Sequence, residues 1–173
     1  MQQGWAETQL YLAHGLHVIQ IGNRKPDGAL DLMAACDYAH SVLQVPRERI
    51  VVLAGSTATT VALEAALRRP DGMGILALTG VMSAPAETAE SIHPVTPRFR
   101  LLAFHGEKDR SISPEAARAI LEQLVGASAL RPPHGLWHVF PAENHSLNQF
   151  DSSVATIHAT ILRELGLIQE PER

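Results

Sequence analysis

A serine lying between an apolar run and a helix-like segment is the first residue of this 173-residue chain that could do chemistry. It is Ser56, in Leu53-Ala54-Gly55-Ser56-Thr57-Ala58-Thr59. Small neighbours let such a serine occupy a sharp turn that presents its hydroxyl, and the helix that follows offers free N–H groups and positive potential. The competing reading is that Ser56 or Thr57 merely caps that helix. A second loop, FHGEKDRSISP, carries Asp109, whose carboxylate could orient an imidazole and stabilise its cation. It could equally be a turn aspartate bonded to its own backbone, and Glu107 is a rival acid. A third loop, PAENHSL, carries His145, which could reach across to a serine as general base. The chain has nine histidines, so most must do something else. His138 falls in an apolar run, and His158 and His14 in or beside helix-like segments, where structural roles are expected; His93, in a Pro-rich connector, is a second candidate base.

These loops need a frame. Short apolar runs at 17–21 (HVIQI), 50–53 (IVVL), 75–78 (ILAL), 101–104 (LLAF) and 136–140 (LWHVF) alternate with helix-like segments. Runs of four or five β-branched or Leu-rich residues are the pattern of fully buried parallel strands. Ala29, Leu32, Cys36, Ala39 and Leu43 form one helical face, and Pro46 marks its exit. Ser113-Pro114-Glu115 reads as cap, first helical residue and acid at the positive end, followed by a stripe of Ala117, Ile120, Leu121 and Leu124. Val154, Ile157, Ile161 and Leu165 repeat the pattern before Gly166, and helices are also expected at 5–13 and 61–67. The pattern predicts a three-layer α/β/α sandwich with a mostly parallel sheet of about five strands, formed by residues 1–173 as a single domain.

Composition narrows the function. With 46% hydrophobic residues the chain can bury a substantial core. Fourteen Lys and Arg against 18 Asp and Glu give a net charge of -4, which argues against a nucleic-acid partner held by phosphate contacts. The single Cys36 excludes an internal disulfide framework and a Cys-rich zinc site, and no Asp/His/Cys cluster has metal-ligand spacing. No apolar run is long enough to span a bilayer, and MQQGWAETQL lacks the order of a secretion signal, so a cytoplasmic location is expected. No lysine-bearing phosphate loop follows a strand, which weighs against a nucleotide-binding domain.

Ser, then Asp, then His, each beyond the end of a different expected strand, is the triad order of the α/β-hydrolases. IVVLAGSTATTVALEAAL resembles that family's strand, nucleophile elbow and helix. LLAFHGEKDRSISPEAARAI resembles its acid-bearing segment, FPAENHSL its histidine loop, and LYLAHGLHVIQIGNR its helix, glycine and strand upstream of the nucleophile. The resemblance, to small dienelactone-hydrolase- and carboxylesterase-like serine esterases, covers most of the chain. It implies Ser56 as nucleophile, His145 as general base and Asp109 as its partner, with no cofactor and a small ester, or thioester, as substrate.

Two departures matter. The usual G-x-S-x-G elbow reads Ala54-Gly55-Ser56-Thr57-Ala58, so a strained turn is expected. Similar family members have about eight strands, and this sequence starts roughly where their fourth would lie. The early part normally supplies one of two oxyanion-hole N–H groups; Thr57 N–H would be the other. In the family a strand sits between the counterparts of 17–21 and 50–53, and closing that gap is the expectation, because unfilled strands leave N–H and C=O groups unpaired. Closure would bring Gly22 and Asn23 beside Ser56 as substitute donors. It would also leave 17–21 as an apolar edge, for which a homodimer is the expected cover. The short connector 81–97 implies a shallow pocket, with Met82, Ile92 and Leu147 as acyl-site walls. The alternative reading is a non-catalytic relic that binds a ligand or partner in the same cleft.

Overall fold

The computed structural model describes residues 3–22, 27–85, 97–147 and 151–169. Helices α1 (Gln3–Ala13) and α2 (Gly28–Ser41) precede strand β1 (Val51–Gly55) and helix α3 (Ala58–Arg68). Then come β2 (Ile75–Thr79), β3 (Arg100–Gly106), α4 (Pro114–Val125), β4 (Gly135–Phe140) and α5 (Asp151–Glu164). The four strands form a parallel sheet in the order β1-β2-β3-β4, so chain order and spatial order coincide.

Side chains of successive strand residues leave on opposite faces, and both faces here are covered. On one face Leu76, Leu78, Leu101 and Ala103 pack with Ala62, Leu63 and Ala66 of α3 and with Ala117, Leu121 and Leu124 of α4; Cys36 of α2 belongs to the same cluster. On the other, Ile75, Ala77, Leu102, Phe104 and Phe140 meet Ile157 and Ile161 of α5. Tyr11 of α1 joins that side, and its hydroxyl shares a hydrogen bond of 2.6 Å with His158 Nδ1, which gives His158 a structural role. Helix α4 starts as its sequence predicts: Ser113 Oγ accepts the Ala116 N–H at 3.2 Å and Pro114 is the first helical residue.

Among the described residues the sheet has four strands, and the expected fifth, at 17–21, does not form. Residues 16–22 run without regular structure, and β1 pairs only with β2 among the described residues. Two cavities, of about 560 and 490 Å³, lie between this segment and β1. Both are lined by Leu16, His17, Ile19, Ile21, Val51 and Leu53. The expected closure of the gap is therefore also corrected. Apolar alternation makes a strand only where a neighbour stands one ladder spacing away, about 4.8 Å, to receive its hydrogen bonds. Here the segment faces empty volume, and Ile19, Ile21 and Leu53 stay more than a third exposed.

Candidate active site

Strand β1 ends at Gly55, and the chain turns sharply at Ser56 into α3. Ser56 has a φ of 54°, in the left-handed region that non-glycine residues rarely occupy. Neighbouring backbone holds it there. Its N–H donates to the Thr79 carbonyl at 2.9 Å, and its carbonyl accepts the N–H and the hydroxyl of the fully buried Thr59 at 3.0 and 2.6 Å. A side chain at Gly55 would start 2.8 Å from Thr79 Oγ1, so glycine is what lets β1 and β2 approach at the turn. Thr57, the residue preceding α3, makes no side-chain capping bond, and Ser56 Oγ bonds elsewhere, so the capping reading of this motif does not hold.

The partner of Ser56 Oγ is His145 Nε2, at 2.9 Å. His145 Nδ1 in turn lies 2.6 Å from Asp109 Oδ2. Asp109 follows β3, with its side chain fully buried while the imidazole is 20% exposed. Burial alone would push the Asp109 carboxyl up. The hydrogen bond from His145 and those from the N–H groups of Ser111 and Ile112 to Oδ1, at 2.7 and 3.2 Å, outweigh it and hold the group below its ordinary value. An ionised Asp109 can only accept, so Nδ1 carries the imidazole proton and Nε2 is left to accept the Ser56 hydroxyl. Glu107, the rival acid, is exposed and reaches instead toward the Ala142 N–H at 3.4 Å.

Two glycines position the histidine loop. Gly106, at the end of β3, lies so close to the loop that a Cβ would stand 2.2 Å from the Asn144 carbonyl oxygen and 2.6 Å from that of Glu143. Gly80, after β2, has φ 61°, and its Cβ would come within 2.7 Å of the His145 carbonyl and 3.1 Å of the ring. Lys108 N–H donates to the Glu143 carbonyl at 2.8 Å, and Asn144 Oδ1 accepts the Ser146 N–H at 3.0 Å. The sequence reading missed both glycines. Each follows an apolar run, but its closeness to the histidine loop comes from the pairing of strands and not from local sequence.

The remaining expected site residues divide. Thr57, with helical dihedrals, directly follows Ser56 at the entry to α3. Met82 is half-buried, and its N–H donates to Thr59 Oγ1 at 3.3 Å, close to the serine turn. Leu147 is 2% exposed and packs in the core with Phe104, Phe140 and Ile157, so its side chain serves packing. Gly22 borders the larger cavity beside β1, together with Leu53 and Ala54. Asn23, Ile92 and His93 lie outside the described residues. His138, on β4, sits edge-on to Phe140 with centroids 4.3 Å apart, and burial pushes its imidazole below the ordinary value. Neither large cavity is lined by Ser56, Asp109 or His145. No group of three acidic, His or Cys side chains suited to a metal occurs among the described residues.

No protein-family profile matches the chain, and no curated protein matches it in sequence. Solved structures do. The esterase domain of a Rhodothermus marinus protein aligns with a TM-score of 0.62 at 18% identity, over 92% of this chain and 77% of that one. Paleococcus ferrophilus monoacylglycerol lipase gives 0.61 at 11% identity, over 96% and 90%. This chain has the α/β-hydrolase fold. A single-substitution variant of Arabidopsis thaliana SOBER1 gives 0.60 at 20% identity over 79% of this chain. The alignment spans 63% of SOBER1, so this chain matches less than two thirds of that protein's length. An Agrobacterium tumefaciens protein described as a putative α/β hydrolase aligns at 16% identity with a TM-score of 0.58, over 90% of this chain and 69% of that one.

Proposed function

We propose that this α/β-hydrolase cleaves small carboxylic esters, thioesters included, through an acyl-enzyme on Ser56. The supporting observation is the continuous chain Ser56 Oγ, His145 Nε2, His145 Nδ1, Asp109 Oδ2, with links of 2.9 and 2.6 Å. In the first step Ser56 Oγ bonds to the acyl carbon while its proton passes to His145 Nε2. The carbonyl electron pair moves to oxygen, where Thr57 N–H is the proposed donor. Collapse of this intermediate expels the alcohol or thiol, which takes the proton back from His145. Water then repeats the sequence: His145 removes its proton, the oxygen attacks the acyl carbon, and the acid leaves Ser56 free. Asp109 keeps the imidazole proton on Nδ1 and stabilises the cation formed in each half. The neighbouring esterases and lipase have the same fold, which makes ester hydrolysis the favoured chemistry over a relic that only binds.

A fluorophosphonate probe followed by mass mapping tests this reading. Labelling at Ser56, lost in Ser56→Ala, is the expected result. A chain that stays unlabelled while folded favours the non-catalytic reading.

A further inference from the structure

Among the described residues the mechanism leaves two buried histidines unused, His158, which is paired with Tyr11, and His105. His105, on β3, is 0% exposed and lies against the equally buried side chain of Asp109. Its Nε2 lies 3.0 Å from the Ile112 carbonyl, and Asp109 Oδ2 is 3.2 Å from the same nitrogen. Both neighbours are acceptors, so the ring proton is on Nε2. Nδ1 is buried with no partner, which suits a bare lone pair and leaves no proton there. Trp137 of β4 stacks on the ring, with centroids 5.8 Å apart and planes 23° from parallel, and holds its orientation. The described residues thus place two imidazoles against one carboxylate oxygen, through His145 Nδ1 and His105 Nε2.

We propose that His105 is a positioning residue for Asp109, fixing the carboxylate that in turn orients His145. This rests on the reading of Ser56, His145 and Asp109 as the reacting set. His105 acts in two ways. By donating to the Ile112 carbonyl it pins the turn whose Ser111 and Ile112 N–H groups grip Asp109 Oδ1. By setting the positive end of an N–H dipole beside Oδ2 it shares the oxygen that receives the His145 proton donor. A purely apolar side chain could fill the same space against Trp137 but would do neither. The titratable groups around the ring are Asp109 on its own loop, His145 on the β4–α5 loop, and Glu115 at the start of α4, whose carboxyl senses the imidazole.

The test compares His105→Phe, which retains the aromatic packing, with His105→Gln, whose amide N–H can stand near the place of Nε2–H. Ester kinetics should show kcat falling about tenfold in His105→Phe, with KM changed less than about twofold, and largely restored in His105→Gln. Independently of turnover, the His145 ring is titrated by imidazole NMR in each variant. Loss of the dipole leaves Oδ2 a stronger acceptor, so the His145 midpoint should move to higher pH in His105→Phe and return toward the parent value in His105→Gln. If the midpoint and the Nδ1 proton resonance of His145 are the same in parent and His105→Phe, His105 only packs and the proposal fails. A parent chain without esterase activity whose His145 midpoint still responds to His105 would sink the hydrolase reading and leave the coupling standing. If His105→Phe does not fold, His105→Leu takes its place, and an unchanged His145 midpoint in that variant overturns the proposal.

Discussion

The two flanks of the sheet are built to different standards. Around the ends of β3 and β4, backbone lies on backbone: Gly106 against Glu143 and Asn144, Gly80 against His145, Lys108 N–H on the Glu143 carbonyl. Beside β1 the chain leaves two cavities and three exposed apolar side chains. Ser56 directly follows β1 but is tied toward the tight flank, since its N–H is held by Thr79 of β2 and its hydroxyl meets His145, while Thr59 of α3 holds its carbonyl. Among the described residues, the hydrogen bonds that hold the proposed triad come from β2, α3 and the loops after β3 and β4. We propose that a second oxyanion donor would come from that open side, where Gly22 borders the larger cavity. Losing one such donor costs on the order of 3 kcal/mol of transition-state stabilisation.

If the tight flank carries the chemistry, Ser56→Ala should reduce hydrolysis of a short p-nitrophenyl ester to the uncatalysed background. Circular dichroism should remain unchanged, because the hydroxyl is not a helix cap. Unaltered turnover would move the chemistry to another residue. Asp109→Asn should lower kcat by a factor on the order of 10⁴, because an amide favours the wrong imidazole tautomer. Its effect on stability should depend on pH with a definite sign. Asp109 is held below its ordinary value in the folded chain, so its stabilisation is complete above the unfolded carboxylate value and fades as pH falls through the lower folded one. The gap in Tm between parent and Asp109→Asn should therefore narrow as the solution is acidified through the carboxylate range; a gap that widens in acid would contradict the assignment.

Gly106→Ala sharpens the comparison by disturbing the tight flank without touching a reacting group. A methyl group 2.2 Å from the Asn144 oxygen must push the histidine loop outward. Displacement on the order of 1 Å can cost about a hundredfold in rate, and steady-state kinetics should report it in kcat. The smallest effect belongs to the open flank. Leu53→Lys replaces a side chain that is 38% exposed, so turnover should hold and stability should change by no more than about 0.5 kcal/mol. The same substitution should dissolve any dimer that light scattering detects at high concentration, and a parent chain that is monomeric there would refute self-association at this edge.

The difference between the flanks also marks what could be read from the sequence. Runs 50–53, 75–78, 101–104 and 136–140 became strands because each has a hydrogen-bonded neighbour, with β2 and β3 buried on both faces, and the apolar spacing of α2, α4 and α5 encodes burial directly. HVIQI has the same local signal and failed, because periodicity describes a strand's faces and says nothing of whether a hydrogen-bonding partner stands beside it. Ser56, Asp109 and His145 were legible through residue type and position after strands. The roles of Gly80, Gly106 and His105 were not, since they arise from register: Gly106 comes under the histidine loop only because β3 pairs with β4 so that Gly106 faces Phe140.

The bond between Ser56 and His145 joins residues 89 positions apart. Every ladder that brings them together is parallel, and a parallel pair cannot be closed by a hairpin. Each pairing requires a full crossover to form before its contacts compensate the lost chain entropy, which places the sheet among slow-folding topologies. A half-folded chain containing β1, α3 and β2 has its serine turn but no base beside it. Only the arrival of β4 completes the proposed set, so on that reading a chain emerging from synthesis carries an inert hydroxyl until this strand docks.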